Sequence, residues 1–198
     1  MKIHQLYVQK SELNPYVDES YFYILTNKNN AIVFDPGLFK PINDFIEQNN
    51  LTLVAILNTH HHPDHIGANL ELQKKFNCPI YASEYDKQRI PGITNTLKPG
   101  DSVSINEIDI QILNLKAHTN GLIGYYIKEL SALFPGDALF SAGCGRLFEG
   151  SPEDLLKSMQ TIARLAKNTK IYCSHEYTLQ NLKFAKSVDL ENLSLIHI

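Results

Sequence analysis

Thr59-His60-His61-His62-Pro63-Asp64-His65 gathers four of the chain's eight histidines beside a carboxylate. Imidazole and carboxylate together are the usual donors for zinc and related divalent metals. The spacing His-x-His-x-Asp-His arises by chance in well under about 1% of chains of this length. A metal site therefore outweighs a loop that is merely polar. One loop cannot easily aim four donors at a single ion, so the run points to two ions and to further ligands supplied from elsewhere. His118, Asp137 and His175 are the candidates, because each follows an apolar run. Taken singly, the two histidines read as surface or satisfied core residues and Asp137 as a turn residue after Pro135-Gly136. Taken with the loop, all three repeat one positional pattern.

The elements that must position these residues alternate between strands and helices. Residues 21–26 and 31–35 are apolar runs separated by Asn27, Asn29 and Asn30, which predicts a hairpin. Pro41 can open a helix with Ile42, Phe45 and Ile46 on one face. Residues 53–57 form a short apolar run, as in a strand covered on both faces, and feed a polar loop over 58–65. A helix over 68–76 and a strand over 79–82 follow. Val103 and Ile105, then Ile108, Ile110 and Ile112, predict a hairpin turning at Asn106-Glu107. Strands are expected over 124–127, 132–134 and 170–173. Ser151-Pro152-Glu153-Asp154 is a capping box with Pro at the first helical position, ahead of a stripe of Leu155, Met159, Ile162 and Ala166. A last helix is expected to begin near Thr178. This order suggests a layered α/β domain without fixing its topology.

Composition narrows the setting. At 198 residues, with 43% hydrophobic and 20% charged residues, the chain is globular rather than disordered. A net charge of -3 gives no electrostatic case for nucleic-acid binding. No apolar run approaches the roughly 18 residues of a membrane span. The first residues carry no apolar h-region, and Cys78, Cys144 and Cys173 make no disulfide framework. A cytoplasmic monomer is the expectation.

The ligand pattern resembles the metallo-β-lactamase superfamily, whose His-x-His-x-Asp-His motif is met by His60, His62, Asp64 and His65, and whose later His, Asp and His are met by His118, Asp137 and His175. Gly136-Asp137 through Gly143-Cys144-Gly145-Arg146-Leu147-Phe148-Glu149-Gly150 resembles the glyoxalase II (hydroxyacylglutathione hydrolase) family in particular. So does Cys173-Ser174-His175-Glu176-Tyr177-Thr178. Where that family usually shows Pro-Gly before the middle His, this chain has Lys116-Ala117.

The resemblance implies an αββα sandwich, two sheets faced by helices, with the site at one edge. It implies two divalent metal ions, zinc first, with iron and manganese as alternatives. His60, His62 and His118 would hold one, Asp64, His65 and His175 the other, and Asp137 would bridge them. The implied reaction is hydrolysis of the thioester S-D-lactoylglutathione to D-lactate and glutathione, the second step of methylglyoxal detoxification, by a hydroxide between the ions. Asp64 would orient that nucleophile. Arg146 would anchor a glutathione carboxylate, and Tyr177 and Phe148 would flank the same ligand, each with a core position as the alternative. His61 is expected to point away from the metals, and His4 and His197 to be surface residues.

The expected organisation is a catalytic domain over 1–175, the start of a glutathione-binding helical domain over 176–192, most of which is missing, and an artefactual tail over 193–198. The rival readings are another hydrolase of the superfamily, a persulfide dioxygenase, or an inactive metal-binding fragment.

Overall fold

In a computed structural model of the chain, residues 1–191 are described. The expected tail over 193–198, with His197, lies outside them. Two sheets stack face to face. The first runs β1 (Lys2–Lys10), β2 (Asp18–Asn27), β3 (Asn30–Phe34), β4 (Thr52–Leu57), β5 (Ile80–Ser83) and β6 (Asn95–Leu97), paired in that order. β1 to β3 are antiparallel and β3 to β6 parallel. The second comprises β7 (Ser102–Ile105), β8 (Ile108–Asn114), β9 (Ile123–Ile127), β10 (Ala132–Phe134) and β11 (Lys170–Ile171), in the spatial order β11-β10-β9-β8-β7.

Period-two alternation builds the sandwich, since successive strand side chains point to opposite faces, with one irregularity between Leu53 and Ala55 of β4 that switches their faces. Tyr23 and Leu25 of β2, Ile32 and Phe34 of β3, and Ala55 and Leu57 of β4 face inward, meeting Ile110, Ile112, Tyr125 and Phe134 of the second sheet. Phe22, Ile24, Ala31, Val33, Leu53 and Ile56 face outward, against α1 (Phe39–Gln48) and α3 (Asn69–Phe76). Ile42 and Ile46 of α1 and Leu72 of α3 are fully buried there. On the far side, Ile162 of α4 (Pro152–Ala163) packs against Leu115, Leu122 and Ala138. The result is the expected αββα layering, with α5 (Thr178–Val188) following.

The hairpin at Asn106-Glu107 forms, with both residues at positive φ as its turn requires. The capping box forms as read: Asp154 N–H donates to Ser151 Oγ at 3.2 Å. Four expectations need correction. The loop over 58–65 is not wholly irregular: Pro63 opens a single helical turn, α2 (Pro63–Ile66). The strand expected over 170–173 is confined to Lys170–Ile171. α4 ends at Ala163, so Ala166 lies outside the helix and is exposed. His4 is half-buried rather than at the surface, its ring bonded to Thr26 Oγ1 at 3.1 Å and packed on Phe45.

Candidate metal centre

Every candidate ligand stands just past the carboxyl end of a strand. β4 delivers His60, His62, Asp64 and His65. β8 delivers His118, β10 Asp137 and β11 His175. The stacked sheets bring these ends to one edge, and the seven side chains fall into two adjoining groups: His60, His62, His118 and Asp137, then Asp64, His65 and His175.

In the first group, His62 Nδ1 lies 3.0 Å from His60 Nε2 and 3.0 Å from His118 Nε2. The other ring nitrogens of His60 and His118 are engaged elsewhere. His60 Nδ1 lies 3.0 Å from Thr59 Oγ1. His118 Nδ1–H donates to the Arg146 carbonyl at 2.7 Å, which leaves Nε2 as a bare lone pair. Asp137 Oδ2 is 3.3 Å from His118 Nε2.

In the second group, Asp64 Oδ2 sits 3.2 Å from His175 Nε2 and 3.5 Å from His65 Nε2. Asp137 Oδ1 is 3.2 Å from His65 Nε2 and 3.6 Å from His175 Nε2. One carboxylate thus turns an oxygen to each group. His175 Nδ1–H donates to the Asp18 carbonyl at 3.2 Å, so its Nε2 is the nitrogen offered to the centre.

These donors fit divalent cations. Three imidazole nitrogens converge, those of His60 and His118 each 3.0 Å from His62 Nδ1, a donor set suited to a divalent cation. Burial pushes His60 well below its ordinary value, with nearby His65 adding to the effect, and lowers His62 to about 4. Burial also lowers His118. All three are therefore neutral, the form that ligates metal. In the second group, burial drives His65 down, but Asp64, Asp137 and Asp35 overcome it and hold it well above its ordinary value. Burial raises Asp137, yet His65, His175 and His60 hold its carboxyl well below the usual range. The carboxylates favour positive charge here, and a cation would serve the same balance.

Some supporting residues were not legible as such. Asp35 lies 3.2 Å from His65 Nδ1 through Oδ2, and accepts from Thr59 N–H at 2.7 Å and Thr59 Oγ–H at 2.8 Å. Ser174 Oγ–H donates to Asp137 Oδ1 at 2.5 Å. Asp35 follows an apolar strand but precedes Pro36-Gly37, where a turn residue is equally expected. Close approach also fixes Gly145, where an added Cβ would come within 2.7 Å of His118 Nδ1 and collide with the Asp137 carbonyl.

A cleft of about 310 Å³ opens onto both groups. Arg146, Phe148 and Tyr177 line it with Asn181. Phe148 is 59% exposed, so it is not a core residue. Its ring meets His62 and His118 edge-on at 5.5 and 5.2 Å, and the Arg146 guanidinium lies 5.3 Å above it. Tyr177 is half-buried and stacks on His175 at 4.9 Å. Burial pushes its phenol up to about 12, so it stays a hydrogen-bond donor at neutral pH. His61 turns away from both groups, toward Asp86 and Glu149.

Residues 15–175 match the family model of the metallo-beta-lactamase superfamily. The chain belongs to that superfamily. Over 177 residues it is 45% identical to the hydroxyacylglutathione hydrolase of Bdellovibrio bacteriovorus, covering 88% of this chain and 70% of that protein. A Synechococcus protein of the same name is 42% identical over 184 residues, covering 91% and 73%. Within the superfamily, the chain is a member of the hydroxyacylglutathione hydrolase family. Among solved structures, that of the B3 metallo-beta-lactamase BLEG-1 superposes with a TM-score of 0.77 at 25% identity, over 87% of this chain and 92% of that one.

Proposed function

We propose that the chain hydrolyses S-D-lactoylglutathione and related 2-hydroxyacylglutathiones to a 2-hydroxy acid and glutathione. The observation that carries this is the double ligand cluster joined by Asp137, at the floor of a cleft whose wall presents Arg146, Phe148 and Tyr177, in a chain of this family.

His60, His62 and His118 would hold one divalent ion, Asp64, His65 and His175 a second, and Asp137 both. Zinc is the ion we assign; the same donors suit iron and manganese. When bound, such ions act as Lewis acids toward the thioester carbonyl and bring the pKa of water to about 7. The remaining work belongs to the chain. Arg146 pairs with a glutathione carboxylate, for which its planar fork is suited. Phe148 covers the acyl end of the cleft and keeps bulk water from it. Tyr177 donates its hydroxyl hydrogen to the glutathione backbone. Asp64, at the cleft, orients the attacking water through its carboxylate. The departing thiolate resembles a cysteine thiolate, with a conjugate-acid pKa near 8.5, so no strong general acid is required.

No helix among the described residues is long and apolar enough to cross a membrane, and all three cysteines are free thiols. A reducing, cytoplasmic setting accords with both and is part of this proposal.

A substrate panel tests the reading. The zinc-loaded chain is given S-D-lactoylglutathione and nitrocefin, and the iron-loaded chain S-D-lactoylglutathione and glutathione persulfide, because zinc has no redox chemistry; thiol release, ring opening and oxygen uptake are followed. Thiol release from the thioester is expected to exceed the other two activities by at least about 100-fold in kcat/KM. A preference for the β-lactam or the persulfide would overturn it.

A further inference from the structure

Residues 141–150 carry both Arg146 and Phe148, yet they contain no helix or strand beyond an isolated bridge at Gly143. Their place over the metal ligands must come from individual bonds. Three backbone bonds tie them to the loops of the ligands: Gly145 N–H to the Asp137 carbonyl at 3.0 Å, Phe148 N–H to the His118 carbonyl at 3.2 Å and Gly150 N–H to the Ala117 carbonyl at 2.9 Å. Side chains add to these bonds: His118 Nδ1–H donates to the Arg146 carbonyl at 2.7 Å and Asn181 Nδ2–H to the Ser141 carbonyl at 2.9 Å, and Glu149 supplies a further anchor. Its Oε1 accepts from Arg89 Nη1 at 2.5 Å, and its Oε2 accepts from the backbone N–H of Asn120 at 2.7 Å.

Arg89 is itself fixed from behind. Its Nε donates to Asp86 Oδ1 at 2.9 Å, and Nη2 reaches the same oxygen. Asp86 is fully buried at 0% exposure, and its Oδ2 lies 3.8 Å from His61 Nδ1. Arg89 Nη1 also lies 3.4 Å from His61 Nε2. One guanidinium therefore divides its fork between a buried carboxylate and a carboxylate on the segment over the cleft, beside the histidine that separates two ligands. A solvated ion pair would not order three chain segments in this way.

We propose that Arg89 and Glu149 form a clasp that sets the position of the 143–150 segment over the metal centre, and that this clasp governs affinity for the glutathione part of the substrate. They are positioning residues and touch no reacting atom. The proposal rests on the reading of Arg146 and Phe148 as substrate contacts.

Glu149 is the residue to alter, because truncating Arg89 would leave Asp86 buried and unpaired and could unfold the chain. Glu149→Ala, Glu149→Gln and Arg89→Lys are compared with the parent chain by kinetics on S-D-lactoylglutathione, metal content and hydrogen exchange of peptides spanning 143–150. Glu149→Ala is expected to raise KM about tenfold while kcat changes less than about threefold. Its metal content should match the parent, and exchange at 143–150 should rise while that at 60–65 does not. Glu149→Gln keeps one acceptor oxygen, enough for Asn120 or Arg89 but not both, and should fall between the parent and Glu149→Ala in KM. Arg89→Lys keeps the charge without the fork and should resemble Glu149→Ala. Unchanged KM, or metal loss parallel to the loss of activity, overturns the clasp. If the parent chain does not hydrolyse the thioester, the substrate reading fails, and exchange alone decides: raised at 143–150 it upholds the clasp, unchanged it removes it.

Discussion

His65 shows how much of the centre depends on residues that never touch a metal. Its Nε2 faces Asp64 and Asp137, while its Nδ1 sits 3.2 Å from Asp35 Oδ2. A carboxylate behind a ligating imidazole fixes the ring and raises its basicity, and losing such a partner costs about 10- to 100-fold in metal affinity. Asp35→Asn should weaken zinc binding by that factor, measured by competition with a chromophoric chelator. An unchanged affinity would remove Asp35 from the site. The seven candidate ligands were readable because their types are chemically narrow and their spacing rare. Asp35 and Ser174 were not: a carboxylate that ends a strand before Pro-Gly reads equally well as a turn residue, and a serine next to a histidine carries no signal. Only the fold brings Ser174 Oγ to 2.5 Å from Asp137.

At the scale of elements, legibility followed local physics. The stretch ahead of α4 was readable because the side chains of Ser151 and Asp154, three residues apart, each accept from the other's backbone N–H. Ser151→Ala should cost about 1 kcal/mol and lower Tm by roughly 2–4 °C, with metal content unchanged. Calorimetry and metal analysis check both halves, and a loss of metal would show that α4 supports the site directly. β1 and β6 leave no pattern in the sequence. β1 is an edge strand with no fully buried residue, and β6 buries only Leu97, so neither shows the alternation that marks a half-buried strand. The order of strands within each sheet was beyond the sequence because pairing such as β3 with β4 depends on a crossover through α1, not on neighbouring residues. The αββα layering came from the resemblance of the ligand motif to a family, not from periodicity.

For the whole molecule, the metal centre is also a structural joint. Its ligands come from the loops after β4, β8, β10 and β11, so they tie the two sheets at one edge. The bond from Tyr21 N–H to the Ser174 carbonyl at 2.7 Å and that from the Tyr21 hydroxyl to Glu176 at 2.6 Å close the same edge. Cations bound only by the folded chain stabilise it by mass action, by about 4 kcal/mol when free metal stands about 1,000-fold above Kd. Chelation should therefore lower Tm by roughly 10 °C, and zinc should restore it. A Tm indifferent to chelator would mean that the sheets hold the ligands in place without the metal.

The most direct measurement is a zinc titration of the metal-free chain, following thiol release from S-D-lactoylglutathione, beside the same titration of Asp137→Ala. Activity is expected to climb to a plateau near two equivalents, one for each ligand group that Asp137 joins, and to fall by more than about 100-fold in the variant. Zinc binding at two equivalents with no thiol release, or equal release from Asp137→Ala, would contradict a thioester hydrolase built on this pair of sites.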